Sequence, residues 1–255
     1  MNRLLKIRDI RRLLAASQPT IGSWIQIPNA SIAEIMGQSG YDWVAVDMEH
    51  GAISVHQLPD LFRALELGGT LPLARIAQGS SQECKQALDA GAGGVIVPMV
   101  ESAEQLLAVR NACCWPPAGT RGIGFSRANL FGKHFDVYRE EAQAPLLVAM
   151  IEHFRAVDNL EEILAVEGLD AILIGPYDLS ASLGLTAQFD HHDFKAIMHR
   201  IGEQAMKANI AFGMHVVQPS HDELCQRISE GYRFIAFSID SVFLRTGAQR
   251  PSGKL

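Results

Sequence analysis

Eight short apolar runs, separated by segments of helical periodicity, restrict what this chain can fold into more than any other feature. Residues 20–25, 43–46, 71–76, 94–97, 146–151, 171–174, 210–217 and 234–239 read as buried strands. Between them, apolar residues recur at helical spacing over 30–38, 58–67, 81–90, 102–113, 157–164, 194–208 and 221–230. Asn29 or Ser31, Ser80 or Ser81, and Ser102 stand where helix caps are needed, and Gly68-Gly69 and Gly91 where helices stop. Eight strands, most followed by a helix, fit the α/β class and specifically a (β/α)8 TIM barrel, here as one domain over 1–255. A doubly wound open sheet is the alternative. It calls for Gly-x-Gly-x-x-Gly after the first strand, and the chain has none there.

Two segments fall outside the alternation. Residues 1–16 interleave Arg3, Lys6, Arg8, Arg11 and Arg12 with Leu4, Leu5, Ile7, Ile10, Leu13 and Leu14. Asp9 and the scarcity of serine argue against a transit peptide, so a leading amphipathic helix packed on the body is expected. Residues 115–141, with Pro-Pro-Ala-Gly-Thr-Arg-Gly-Ile-Gly, read as a long irregular loop with a functional role.

Several classes are disfavoured. A net charge of −6 argues against a nucleic-acid footprint, which needs a concentrated basic face. No apolar run approaches the roughly 18 residues of a membrane span. Cys84, Cys113, Cys114 and Cys225 have no Cys-x-x-Cys spacing or regular framework, as expected of reduced thiols in a cytoplasmic protein.

Chemistry-bearing side chains gather at the strand ends. Asp47 and Glu49 follow the second run and share one face by the two-residue period of a strand, and His50 begins the loop beyond. Arg75 ends the third run, and Glu152 follows the fifth. Asp178 lies beyond the sixth, in Gly175-Pro176-Tyr177-Asp178, and His215 lies in the seventh. A closed barrel brings all these ends to one mouth. A histidine beside a carboxylate suits a general base held in one tautomer, but a solvated polar turn has the same spacing. Arg75 either pairs with an acid at the mouth or holds a carboxylate or developing oxyanion. Acids with few neighbouring cations suit a hard divalent ion such as Mg²⁺ or Mn²⁺.

Taken together, these residues resemble the HpcH/HpaI family of class II, metal-dependent pyruvate aldolases over nearly the whole chain. The likeness rests on Asp47-Met48-Glu49-His50, Arg75, Asp89-Ala90-Gly91-Ala92-x-Gly94 running into Pro98, and Pro117-Ala118-Gly119-Thr120-Arg121-Gly122. It continues through Ile151-Glu152 and Gly175-Pro176-Tyr177-Asp178-Leu179-Ser180-Ala181-Ser182-Leu183-Gly184. The resemblance implies a hexamer, a trimer of dimers with an exchanged C-terminal helix. It also implies retro-aldol cleavage of a 4-hydroxy-2-oxoacid to an aldehyde and pyruvate, or a related 2-oxoacid such as hydroxypyruvate, through a metal-stabilised enolate.

Carried over, Glu152 and Asp178 are the ligands of Mg²⁺, Mn²⁺ or Co²⁺. His50 is the base with Asp47 orienting it, Arg75 stabilises the enolate oxygen, and Asp89 supports the histidine from a neighbouring subunit. Trp24 lines the pocket, and the Gly175-Pro176 backbone receives the ketoacid carboxylate. Tyr177 and His215 add polar contacts at the mouth. Met150 replaces the family's usual glutamine, which bears on the choice of donor. None of Lys85, Lys133, Lys195 and Lys207 ends a strand, in keeping with a metal rather than a Schiff-base route.

Three rival readings remain from the sequence. An acyl-CoA lyase of the citrate-lyase β type calls for a basic nucleotide-binding surface, and no such cluster is evident. A two-carboxylate glycosidase usually offers aromatic platforms, and the chain has three Trp and four Tyr. A non-catalytic ring protein that binds a small acid is the third.

Overall fold

Alternating apolar and helical segments produce alternating strands and helices in the computed structural model, which describes residues 1–250; the domain end expected at 255 lies outside them. After helix α1 (Arg3–Ala15) come β1 (Thr20–Ile25), α2 (Ala30–Gly37), β2 (Trp43–Asp47), α3 (Leu58–Leu67), β3 (Leu71–Arg75), α4 (Ser81–Ala90), β4 (Gly94–Val97) and α5 (Ala103–Cys113). The second half runs α6 (Phe135–Gln143), β5 (Leu146–Ile151), α7 (Phe154–Asp158), α8 (Leu160–Leu164), β6 (Ala171–Ile174), α9 (Pro176–Ser182), α10 (His192–Lys207), β7 (Ala211–Val216), α11 (His221–Ser229), β8 (Phe234–Ile239) and α12 (Asp240–Gly247). The eight strands are parallel and close in sequence order, with β8 pairing back onto β1. The expected (β/α)8 barrel is the observed fold.

The two-residue period of each strand divides the core in two. Val44 and Val46, Leu147, Ala149 and Ile151, and Ile172 and Ile174 point outward, into the layer beneath the helices. Their alternates Trp43 and Ala45, Leu146, Val148 and Met150, and Ala171 and Leu173 point into the barrel. Inside, the Trp43 indole stacks on Phe234 with ring centroids 4.2 Å apart. Gly22 makes room for it, since a β-carbon there would fall 2.1 Å from the indole.

The amphipathic character of residues 1–16 has a defined use. Ile7 and Ile10 of α1 are buried against the interior set of Trp43, Leu71, Leu146 and Phe234. These are residues from the amino-terminal ends of their strands, so α1 plugs that end of the barrel. Each isoleucine contributes about 1.5–3 kcal/mol by leaving water. Arg3 bonds Glu141 (2.7 Å) and Glu66 (3.0 Å), and Arg11 bonds both oxygens of Asp170 (2.6 and 3.0 Å), fixing the plug at its rim.

Three local expectations are corrected. The stretch 115–141 is not irregular throughout: it holds a 3-10 turn at Arg127–Asn129 and most of α6. Phe135, Tyr138 and Ala142 share one face of that helix and pack around Trp115. The helix expected over 157–164 is two short helices, α7 and α8, meeting at Asn159. Strand β2 stops at Asp47, so Glu49 reaches the mouth from the bend beyond rather than from a shared strand face.

Candidate active site

The same inward alternation that fills the barrel supplies the floor of its carboxyl-terminal mouth. Counting in twos from the interior residues leads from Trp43 to Asp47, from Leu71 to Arg75, from Leu146 through Met150 to Glu152, and from Ala211 to His215. Trp24, Met150, Glu152, Arg75, His50, His215 and the Gly175–Asp178 segment line a single cleft of about 1010 Å³. Its outer wall comes from α10 and α11, where Lys195 and Arg227 are occupied by ion pairs to Asp190 (2.7 Å) and Glu230 (2.9 Å).

Arg75 is held from several sides. Its Nε and Nη2 donate to Asp47 Oδ1 and Oδ2 at 2.9 and 2.6 Å, the two-pronged geometry that guanidinium and carboxylate share. Nη1 lies 3.2 Å from Glu49 Oε2 and 3.9 Å from the Met150 sulfur, and the guanidinium sits 4.7 Å above the Trp24 ring. Burial pushes the Asp47 carboxyl up, but the Arg75 pair, Gln26 Nε2 (2.9 Å) and the His50 amide hold it below the ordinary value. Asp47 therefore stays ionised and Arg75 stays fixed in direction.

Opposite lies a group of acids. Glu152 is 3% exposed, and its Oε1 accepts the Met99 amide at 2.7 Å. Burial raises its pKa to about 7; the Met99 bond opposes the rise, and the charges of Glu49 and Asp178 add to it. Glu49 is also raised, by burial first, and its Oε2 is sealed from solvent without an aligned hydrogen bond. Gly175 is obligatory beside them, because a β-carbon would fall 2.5 Å from Glu152 Oε2.

With that geometry in place, the profile of the HpcH/HpaI aldolase/citrate lyase family matches residues 20–246. The chain belongs to this family. It is 35% identical over 246 residues to the hydroxypyruvate/pyruvate aldolase of Roseobacter denitrificans, covering 94% of each chain. It is 38% identical over 248 residues to a 4-hydroxy-2-oxovalerate aldolase of Novosphingobium aromaticivorans, covering 95% of this chain and 92% of that one. A crystal structure of a family member from Burkholderia cenocepacia superposes with a TM-score of 0.87 at 30% identity, over 94% of this chain and 95% of that one.

Within this HpcH/HpaI barrel the expected site residues divide. Trp24, His50, Arg75, Met150, Glu152, Gly175, Pro176, Tyr177, Asp178 and His215 meet at the cleft, with Asp47 directly beneath. Tyr177 stands at the rim, largely exposed and edge-on to Phe189 at 5.0 Å. Two expected contacts are absent. Asp47 accepts the backbone amide of His50 at 3.1 Å, while the exposed imidazole ring instead lies 3.8 Å from Glu49, so Asp47 orients Arg75 and the turn rather than the ring. Asp89, in the last turn of α4, faces Arg121 at 3.9 Å and does not line the cleft of its own chain.

Gln26 and the Met99 amide were not singled out in the sequence. Gln26 was signalled by its place two residues after Trp24 on the inward face. The Met99 amide had no signal, since it depends on a left-handed residue (φ 49°) after Pro98.

Whether a divalent ion suits this site can be judged from the donors. Glu152 and Asp178 are hard oxygen donors, and the ionised form of Glu152 is disfavoured by burial and by the charges of Glu49 and Asp178. A cation relieves both. The tightest three-residue group of ligand-type atoms among the described residues is elsewhere, at His191, His192 and Asp193. That group occupies the start of α10, where the helix dipole opposes a cation, and His191 Nδ1 is already engaged by the Asp193 amide.

A pH prediction follows. Glu152 is raised from 4.5 to about 7, so its contribution to stability is present below pH 4.5 and lost as pH rises through 7. At roughly 1.4 kcal/mol per pKa unit, the loss is about 3 kcal/mol. His215, lowered from 6.5 to about 4, acts in the opposite sense: its contribution is present above pH 6.5 and lost as pH falls through 4. Denaturation midpoints of metal-free wild type minus those of Glu152→Gln isolate the first effect. The difference is expected to fall steadily between pH 4.5 and 7, and a flat difference would show that Glu152 is ionised throughout.

Proposed function

We propose that the protein is a divalent-metal-dependent aldehyde-lyase that cleaves a 4-hydroxy-2-oxoacid to an aldehyde and pyruvate, or a related 2-oxoacid such as hydroxypyruvate. The observation that carries this reading is the pairing, across one barrel mouth, of a rigidly braced guanidinium with a buried acid group in need of a cation. The aldolase names of relatives at 35% and 38% identity over nearly the whole chain support it.

In this reading Glu152 and Asp178 hold Mg²⁺, Mn²⁺ or Co²⁺. The ion, when bound, acts as a Lewis acid on the ketone of the substrate. The chain's own residues do the rest. Arg75, fixed by Asp47, which Gln26 braces in turn, offers the Nη1 side that it shares with Glu49 to the oxygen that gains charge as the carbon–carbon bond breaks. His50 stands at the solvent side of the cleft and removes the proton of the 4-hydroxyl group, its ring steadied by Glu49. First-turn amide groups of α9, which have no intrahelical acceptor, receive the carboxylate of the 2-oxoacid beside Gly175-Pro176. Trp24 and Met150 close the inner wall and exclude water from the carbanionic centre.

Because Asp89 faces away from its own cleft, its support of His50 comes from a second copy. The reading therefore includes a homo-oligomer, a hexamer built as a trimer of dimers. A cytoplasmic location belongs with it; no helix of the described residues is long and apolar enough to cross a membrane.

The test is pyruvate release from a panel of 4-hydroxy-2-oxoacids. Release is expected to stop with EDTA, return with Mg²⁺, Mn²⁺ or Co²⁺, and fall at least ~10²-fold in Glu152→Gln. In parallel, Mn²⁺ is expected to raise the melting temperature of wild type but not of the variant. Chelator-resistant turnover would overturn the metal assignment.

A further inference from the structure

The pairing of β1 with β8 contains an irregular rung, and it fixes a side chain of the cleft. Between Gly22 and Trp24 strand β1 advances two residues, while its partner β8 advances three, from Ala236 to Ile239. The extra residue accompanies Ser238, buried and left-handed at φ 54°, a conformation that disfavours any residue with a β-carbon. Ser238 turns its carbonyl to receive two donors from neighbouring strands, His215 Nε2 at 3.0 Å and the Ser23 hydroxyl at 3.2 Å. Its own hydroxyl donates to the Val217 carbonyl at 3.0 Å, tying down the chain just beyond His215.

A carbonyl oxygen can only accept. The proton of His215 therefore resides on Nε2, and Nδ1 is left as a proton-free acceptor. Nδ1 has no hydrogen-bond partner among the described residues and is not sealed from solvent, and the ring lines the cleft. Burial, opposed by the Ser238 bond and assisted by Arg75, lowers the imidazole pKa to about 4, so the acceptor persists through neutral pH. Of the groups around it, Trp24, with ring centroid 6.0 Å away, is a donor, Arg75 is a cation, and both Asp47 oxygens are engaged by Arg75.

We propose that His215 is a specificity-determining residue, selecting a substrate that presents a hydroxyl group to Nδ1. The inference rests on the aldolase reading and names the substrate class within it. A hydroxyl donates to the fixed lone pair, a methyl group leaves the acceptor unpaired, and a carboxylate sets a second lone pair against it. Two parts of the reaction can carry such a hydroxyl: the three-carbon of a hydroxylated 2-oxoacid donor, or the carbon beside the carbonyl of a hydroxyaldehyde.

The experiment measures aldol addition in both arms: hydroxypyruvate against pyruvate with one aldehyde, and glycolaldehyde against acetaldehyde with one donor. Wild type is expected to favour the hydroxylated member in one arm, which identifies the source. In that arm His215→Leu is expected to reduce the kcat/KM ratio at least tenfold, whatever happens to absolute rates. His215→Asn, which restores a polar group near Nδ1, is expected to recover part of it. Ratios unchanged in both arms would overturn the proposal while leaving the aldolase reading intact. If wild type turned over no pair with any metal, the aldolase reading would fail. Calorimetric titration of the same four compounds would then decide the inference, with loss of the hydroxyl preference in His215→Leu upholding it and retention overturning it.

Discussion

Arg75→Ala is expected to lower kcat/KM for cleavage by roughly 10²–10³-fold and to cost about 3–5 kcal/mol of stability. Both effects have one origin. Asp47 is fully buried, and its two carboxylate oxygens are matched to Nε and Nη2 of Arg75. Without the guanidinium, an ionised carboxylate remains in the barrel with only Gln26 and two backbone amides as donors. The reacting oxygen loses its cationic partner at the same time. Arg75→Lys restores charge but not the two-pronged geometry, so it should recover little of the rate. Steady-state pyruvate release and urea denaturation on both variants check this. An alanine variant within threefold of wild-type activity would remove Arg75 from the mechanism.

Gly175→Ala is the second large effect. The added β-carbon would lie 2.5 Å from Glu152 Oε2 and 2.8 Å from Glu152 Cβ. Glu152 has no easy retreat, since it is buried and its other oxygen is anchored to the Met99 amide at 2.7 Å. Displacing this carboxylate is expected to weaken Mn²⁺ binding by roughly 10–100-fold, with activity falling at least as far. Calorimetric titration with Mn²⁺ measures the first. Circular dichroism should show a barrel content equal to wild type, because the collision is confined to one side chain. Wild-type Mn²⁺ affinity in this variant would place the cation away from Glu152.

The sequence exposed much of this site because a barrel strand has a fixed period. Six consecutive apolar residues from Leu146 placed Glu152 beyond the end of β5, and the run over 71–76 placed Arg75 at the end of β3, which in the structure stops at Arg75. Convergence of these ends followed from counting strands. Pairing within the mouth was less legible. Asp47 precedes His50 by three residues, yet its carboxylate turns to Arg75, 28 residues away, because closure of the sheet sets β2 beside β3 with Asp47 opposite Arg75.

The bulge at Ser238 left no mark in an apolar run that reads as an ordinary strand, since its cause is the register against β1. Helix α6 escaped notice for a local reason. His134, at its start, makes no side-chain capping bond, and a Gly-rich loop precedes it, so its apolar face is meaningful only with Trp115 in place. Asp89 shows another boundary: its place in the last turn of α4 gives no sign in the sequence that it faces Arg121 at 3.9 Å rather than the cleft.

The plug formed by α1 has a consequence for the order of synthesis. Its anchors, Glu66, Glu141 and Asp170, lie 63 to 159 residues downstream of Arg3 and Arg11. At translation rates of about 5–20 residues per second, the helix waits on the order of 10–30 s before Asp170 emerges. Throughout that interval Ile7 and Ile10 have no barrel to enter, so a nascent chain presents a basic, apolar helix to whatever binds such segments near the ribosome.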